Sequence, residues 1–296
     1  MTRVAYRASC LAYRIHVGLV DFILNLAGLL LWLNWRSLRF DPLGRRMPAT
    51  LIGTLRRAEP PRMRRWHLLV MLAGLLLLRA GIYWQIGSAT KPVWAGTLDL
   101  GVVVPAFVSN SFVRMVLFSC LSFGVTLGVY YLWLLLLSIL AGPDAPSFHR
   151  LVRMQLGGID AWPLWLKWSL PLLCTAGCWW LVSWPLAGLQ VVPHLVSPAH
   201  RLEQALVIGL GCYLAWKYLA GALLALHLLN TYIYFGKHPA WAYVNATARN
   251  LLAPLRVVPL RVGRVDFAPV VGIVLVFLLA ELAGRGLAWL YEKLPF

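Results

Sequence analysis

FVRMVLFSCLSFGVTLGVYYLWLLLLSILA, residues Phe112 to Ala141, carries one charge, Arg114, close to its start. A helix rises 1.5 Å per residue, so a run of this length crosses about 30 Å of hydrocarbon with turns to spare. The stretch predicts a transmembrane helix long enough to tilt. Five further runs read the same way: Leu19–Trp35, Trp66–Ile86, Trp162–Trp184, Leu202–Phe235 and Phe267–Leu290. The first is short and holds Asp21, Asn25 and Asn34; Arg79 interrupts the second. Pro163 falls in the first turn of the fourth, and Pro171 inside it predicts a kink. Trp and Tyr gather at the ends (Trp32, Trp35, Trp66, Trp162, Trp165, Tyr232, Tyr234, Trp289), as an interfacial belt requires.

Composition agrees. Hydrophobic residues make up 60% of the 296 and charged residues 12%, against about 25% charged in a soluble domain. A water-facing surface cannot be built from what remains. The net charge of +17 would suggest nucleic acid in a soluble chain. Here the basic residues lie between apolar runs, where the positive-inside rule and anionic headgroups account for them. Lipid is therefore the expected partner and nucleic acid is not. The loops after the first, third and fifth runs hold the excess of Lys and Arg. This places those loops in the cytoplasm and both termini outside. The basic N-terminus has no apolar run followed by small residues, so the first helix is read as the insertion signal.

The fold expected is all-α: a polytopic membrane protein of about six transmembrane helices in three hairpins, with amphipathic surface segments. A basic segment, 1–18, precedes hairpin one, 19–86. A connector, 87–111, leads to hairpin two, 112–184. A second connector, 185–201, leads to hairpin three, 202–296. Within the first connector Thr97–Val108 is apolar but too short to span, and reads as an interfacial or re-entrant segment.

An internal repeat sharpens this picture. Gly157-Gly158-Ile159-Asp160-Ala161-Trp162-Pro163 and Gly263-Arg264-Val265-Asp266-Phe267-Ala268-Pro269 share Gly-x-(Ile/Val)-Asp-x-x-Pro before an apolar run. Gly157 and Gly263 permit a tight turn. Asp160 and Asp266 are expected to cap the helix that follows. Pro163 and Pro269 are expected near its third position, where a missing N–H costs nothing. A second repeat sets Pro42 eight residues before Thr50 and Pro239 eight before Thr247. Each lies in a basic loop of about 30 residues, long enough for an amphipathic helix on the membrane surface.

The third hairpin, with Thr247, Leu251, Leu252, Pro254, Leu255, Arg256, Pro259, Gly263, Asp266 and Pro269, resembles the YggT family (also called YlmG or Ycf19-like). The likeness is good over Leu202–Leu290, fair over Phe112–Trp184 and weak over Leu19–Ile86, where the Gly and Asp before the helix are missing. Members have one or two such units; three would be a departure. The resemblance implies a small non-enzymatic protein of the bacterial cytoplasmic (inner) membrane, multi-pass, with no cofactor of its own. Relatives are linked to osmotic and ion homeostasis, to division or nucleoid organisation, and in plastids to assembly of a haem-bearing cytochrome.

The candidate sites begin with charge inside the apolar runs, which is costly and often functional. Lys217 and Glu281 lie at depths about 6 Å apart on antiparallel helices, so an ion pair is expected, with Arg79 a competing partner. Cys174 and Cys178 share a helix face, but two thiols make an incomplete site, and packing is the expected role; no metal site is expected. His227 is the histidine well inside a run and reads as a packing or hydrogen-bonding residue. Gly124 and Gly128 form GxxxG, a close-packing signal for this hairpin or another subunit. Arg56, Arg57, Arg62, Arg64 and Arg65 are candidates for anionic headgroups. No Walker loop, GxSxG or HExxH occurs, so no catalytic residue is expected and the chain is not read as an enzyme. The function expected is a membrane scaffold or accessory subunit packed against other integral membrane subunits. The alternatives are a transporter or channel component for ion or osmotic homeostasis, and a haem-cofactor assembly factor.

Overall fold

A computed structural model of the chain describes residues 2–37, 65–89, 93–140, 146–192, 197–233, 239–257, 261–262 and 265–294. Six helical stretches in them are long and apolar enough to cross a bilayer: Gly18–Arg36, Trp66–Ala89, Phe112–Leu140, Leu164–Gly188, Pro198–Tyr232 and Ala268–Glu292. The protein is an all-α polytopic chain. Arg56, Arg57, Arg62 and Arg64, with Pro42, Thr50 and Gly263, lie outside the described residues; Arg65 begins a helix.

The helices are α1 (Thr2–Ser37), α2 (Arg65–Ala89), α3 (Phe112–Leu140), α4 (Pro146–Leu156), α5 (Leu164–Gly188), α6 (Pro198–Gly211), α7 (Trp216–Tyr232), α8 (Pro239–Leu251) and α9 (Ala268–Glu292). Two short hairpins join them: β1 (Ala95–Thr97) with β2 (Ala106–Val108), and β3 (Arg261–Val262) with β4 (Val265–Asp266). The chain forms two compact units, one of Met1–Gly96 and Phe107–Leu127, the other of Thr97–Ala106 and Gly128–Phe296.

In the first unit α1 runs beside α2. It begins at Thr2, so the basic segment expected before the first hairpin is continuous with the first helix. Gly28 is where α1 meets its neighbours closely. A Cβ there would stand 2.9 Å from the Phe123 ring of α3 and 3.4 Å from Leu72 Cδ1 of α2.

The connector has a structure of its own. Thr97–Val108, expected only as an interfacial or re-entrant segment, forms most of the arms and the turn of the β1–β2 hairpin. Leu98 and Leu100 N–H donate to the carbonyls of Pro105 and Val103, at 3.1 and 3.0 Å. The turn falls at Gly101, whose φ of +85° suits glycine. A strand pair satisfies its own backbone polar groups within a dozen residues, which a helix too short to span would leave open at both ends. On the first-unit side Phe107 is fully buried with its ring centroid 5.5 Å from that of Phe118.

In the second unit α5 runs beside α6, and α7 beside α9. A 3-10 turn, Cys212–Ala215, joins α6 and α7 into one span of 35 residues. Such a turn disturbs the regular hydrogen bonding of the helix, and in lipid any freed carbonyl needs a partner. Trp133 Nε1–H donates to Ala215 O at 3.0 Å, and Trp216 Nε1–H donates to Leu132 O at 3.1 Å.

The amphipathic α8 follows the fifth span, as the sequence leads one to expect, and packs on α7 and α4. A second and more strongly amphipathic helix, α4, follows the third span, where none was expected; it buries Val152 and Leu156, four residues apart on one face. It stops at Gly157, whose φ of +64° ends a helix in the left-handed conformation.

For the Gly124–Gly128 pair only the reading within this hairpin is removed. Both glycines are exposed, and a Cβ on either would meet nothing within 4 Å, so this GxxxG packs no described helix of the chain. The two kinds of glycine predict different tolerance. Gly28→Val should lower stability by about 1–3 kcal/mol through overpacking, whereas Gly124→Val should be nearly neutral; thermal melting of both variants in mild detergent checks this.

Candidate functional site

Two clusters of polar residues join the helices, one in each unit. The first is built on Arg79, which is 1% exposed in the middle of α2. It lies about 15 Å from the Ala89 end of its helix, and Ser122 lies about 15 Å from the Phe112 start of α3. At that depth water is absent and the chain must answer the charge itself. Asp21 does so, one guanidinium Nη2–H donating to its Oδ1. The same Nη2 donates to Ser122 Oγ at 2.8 Å, and Nη1 donates to Asn25 Oδ1 at 2.7 Å.

The partners bind one another as well. Asn25 Nδ2 donates to Ser122 Oγ at 3.0 Å and, more weakly, to Asp21 Oδ2 at 3.4 Å. Ser122 Oγ–H returns a bond to Asp21 Oδ2 at 3.2 Å, and the Tyr83 hydroxyl donates to Asp21 Oδ1 at 3.2 Å. The rings of Tyr83 and Phe118 lie 5.6 and 5.5 Å from the guanidinium carbon, within cation–π range. Three helices thus contribute to one charge-neutral knot. Asp21 is its open edge, with a quarter of its side chain exposed. Arg79 was a sequence candidate; Asp21, Asn25, Tyr83 and Ser122 were not. The available signal was Asp21 and Asn25, four residues apart on one face of an apolar helix.

The second cluster is built on Asp160 of the repeat motif, and it corrects the capping role expected there. Asp160 lies in a 3-10 turn, Gly157–Ala161, and the residue at the N-cap of α5 is Pro163, with no side-chain cap bond. The Asp160 carboxylate instead accepts from Ser138 Oγ–H at 2.6 Å and Arg153 Nε–H at 3.1 Å, with Lys167 Nζ at 3.8 Å. Lys167 Nζ also donates to Ser138 Oγ at 2.9 Å. The aspartate therefore ties the last turn of α3, the end of α4 and the first turn of α5. In the second copy of the motif Asp266 pairs across β3–β4 with Arg261, Phe267 takes the N-cap, and Pro269 sits in the opening turn of α9. Pro269 is thus near the third position as expected, whereas Pro163 precedes its helix. Tyr243 of α8 is near the same aspartate. Burial raises its phenol above the ordinary value, and the Asp160 charge adds to this against the Thr247 hydroxyl.

The expected Lys217–Glu281 pair does not form. Lys217 Nζ lies 5.1 Å over the ring of its neighbour Tyr218, while Glu281 takes Arg285 one turn on, Nε to Oε1 at 2.9 Å. Local geometry wins because residues four apart share a helix face, whereas a cross-helix pair needs both chains in register. Nor does Arg79 compete, since Asp21 holds it. His227 Nδ1 stands 2.8 Å from Asn245 Oδ1, a link from α7 to α8. Cys174 and Cys178 are free and exposed on α5. Among the described residues no three His, Cys, Asp or Glu side chains gather as a metal site.

Compared with models of protein families, with curated proteins and with solved structures, the chain matches none.

Both clusters are arranged to hold helices rather than to expose a reactive group. Asp160→Asn should therefore act on stability: it leaves Lys167, whose side chain is 11% exposed, without its buried counter-charge. A loss of about 3–5 kcal/mol is expected, and Asp160→Asn with Lys167→Met should recover much of it. Melting of the single and double variants in mild detergent measures the difference.

Proposed function

We propose that the chain is a non-enzymatic scaffold or accessory subunit of a bacterial cytoplasmic (inner) membrane, packed against other integral membrane subunits. One contrast carries this reading: the enclosed polar groups join helices of this chain, while the outward faces of its spans are largely apolar and uncovered. The span Ala268–Glu292 is the extreme, with 6% of its apolar window buried. Leu275, Leu278, Leu279 and Leu282 stand open along it. Bare apolar surface is ordinary in lipid, but a second membrane helix also fits it. The likeness of the third hairpin to the YggT family supports the same class.

Anionic lipid is the second partner in this reading. The arginine-rich loops face the cytoplasm, and Arg150, Arg153 and Arg249 on α4 and α8 reach the headgroups of that leaflet. A transport role is the runner-up, favoured by the exposed edge of Asp21 beside Arg79. A neutral knot whose charges answer one another suits a hinge of structure better than a stepping stone for ions.

A tagged copy extracted in mild detergent should bring down at least one other integral membrane protein in fixed ratio, and proteoliposomes of the purified chain should pass no more ions than empty vesicles. A chain that always purifies without other proteins, with ion flux lost in an Asp21→Asn variant, would contradict the scaffold and favour the transporter.

A further inference from the structure

The outward face of α9 carries something that lipid alone does not explain. Glu281 and Arg285 are paired, and both are open, with 59% and 77% of their side chains exposed. Trp289, with Lys293 Nζ 3.8 Å over its ring, marks the membrane surface at this end of the helix. Glu281 lies about 12 Å deeper and Arg285 about 6 Å deeper. The usual escape is snorkelling, in which the long side chain bends to the headgroups. Arg285 does the reverse. Side chains on a helix lean toward its N-terminus, which for α9 is inward, and the guanidinium is bonded to Glu281 one turn down. A carboxylate and a guanidinium are thus held together at hydrocarbon depth with most of their surface uncovered. Charge at that depth is costly, and pairing removes only part of the cost.

We infer that this face is covered by α9 of a second copy of the chain. The commitment to a second copy rests on charge complementarity. One helix supplies both signs, and because Arg285 leans down a turn, its guanidinium lies level with Glu281. A two-fold axis along the membrane normal brings the same face of a second α9 alongside, parallel and at the same depth, 8–10 Å away in an ordinary helix pair. Each Arg285 then reaches the Glu281 of both copies, and four charges form one neutral level. Val274, Leu278 and Leu282 lie on the same face and pack the turns below and beside it. A dimer of this kind goes beyond the accessory-subunit reading and shares with it only the premise that bare α9 meets protein.

The test places the photo-crosslinking amino acid p-benzoylphenylalanine at Leu278 in the full chain and irradiates native membranes. A crosslinked band of twice the chain's mass is expected. Glu281→Gln with Arg285→Gln keeps the helix neutral and easy to insert, and should weaken the self-crosslink about tenfold. Glu281→Arg or Arg285→Glu alone should abolish it, and the two single variants co-expressed with different tags should crosslink to each other. An unchanged yield in the Gln–Gln variant, no preference for the mixed pair, or adducts to lipid alone would overturn the dimer. A Leu278 crosslink to a different protein would also overturn it, yet leave the accessory-subunit reading standing. That reading falls instead if no other membrane protein accompanies the tagged chain.

Discussion

A guanidinium in the middle of a bilayer has no water to turn to, and the first unit is organised around that fact. Arg79 sits in the body of α2, and the groups that answer it come from two other helices: Asp21 and Asn25 from α1, Ser122 from α3. Apolar helices in lipid gain little from burying more apolar surface, because the tails are as apolar as leucine. A polar knot is different. It fixes which helices meet and at what depth, since any slip of one turn leaves a charge or an amide unanswered in hydrocarbon. Gly28 lets α1 come close enough for the knot to close.

The second unit applies the same chemistry nearer the membrane surface. Asp160 draws in Ser138, Arg153 and Lys167, so the end of one span, a surface helix and the start of the next converge on one carboxylate. Arg153 is two-thirds exposed there and contributes little beyond orientation. Lys167 is the partner that matters, being nearly buried. Two other intramembrane charges, Glu281 and Arg285, are answered within one helix and still face outward. Thus charge that is enclosed holds the chain together, and charge that is not enclosed points to what the chain meets.

The lengths and positions of the spans were legible because hydrocarbon thickness leaves so little freedom: a run of some twenty apolar residues has one stable arrangement in lipid. Boundaries moved by a few residues, as at Leu164–Gly188 against the expected Trp162–Trp184. The pairing of charges was not legible. Lys217 and Glu281 have suitable depths, but depth says nothing about which way a side chain points around its helix, and Arg285 was closer. Asp160 was picked out by the repeat for the wrong reason, since a cap and a tertiary carboxylate leave the same trace in sequence. Ser122 and Ser138 left none, because a serine in an apolar run usually just returns its proton to its own backbone. The β1–β2 hairpin was hidden for a related reason: Thr97–Leu100 alternates over only four residues, and Val102–Val104 and Ala106–Val108 are apolar throughout, too little pattern to mark a strand.

The account rests on Arg79 and Asp21 being worth keeping only together. Its most direct measurement is a double-mutant cycle on unfolding in mild detergent, with Arg79→Met, Asp21→Leu and the pair. Each single change strands a charge in the membrane and should cost about 3–5 kcal/mol, while the double change should cost far less than their sum. Additive losses, or single variants as stable as the parent, would contradict it.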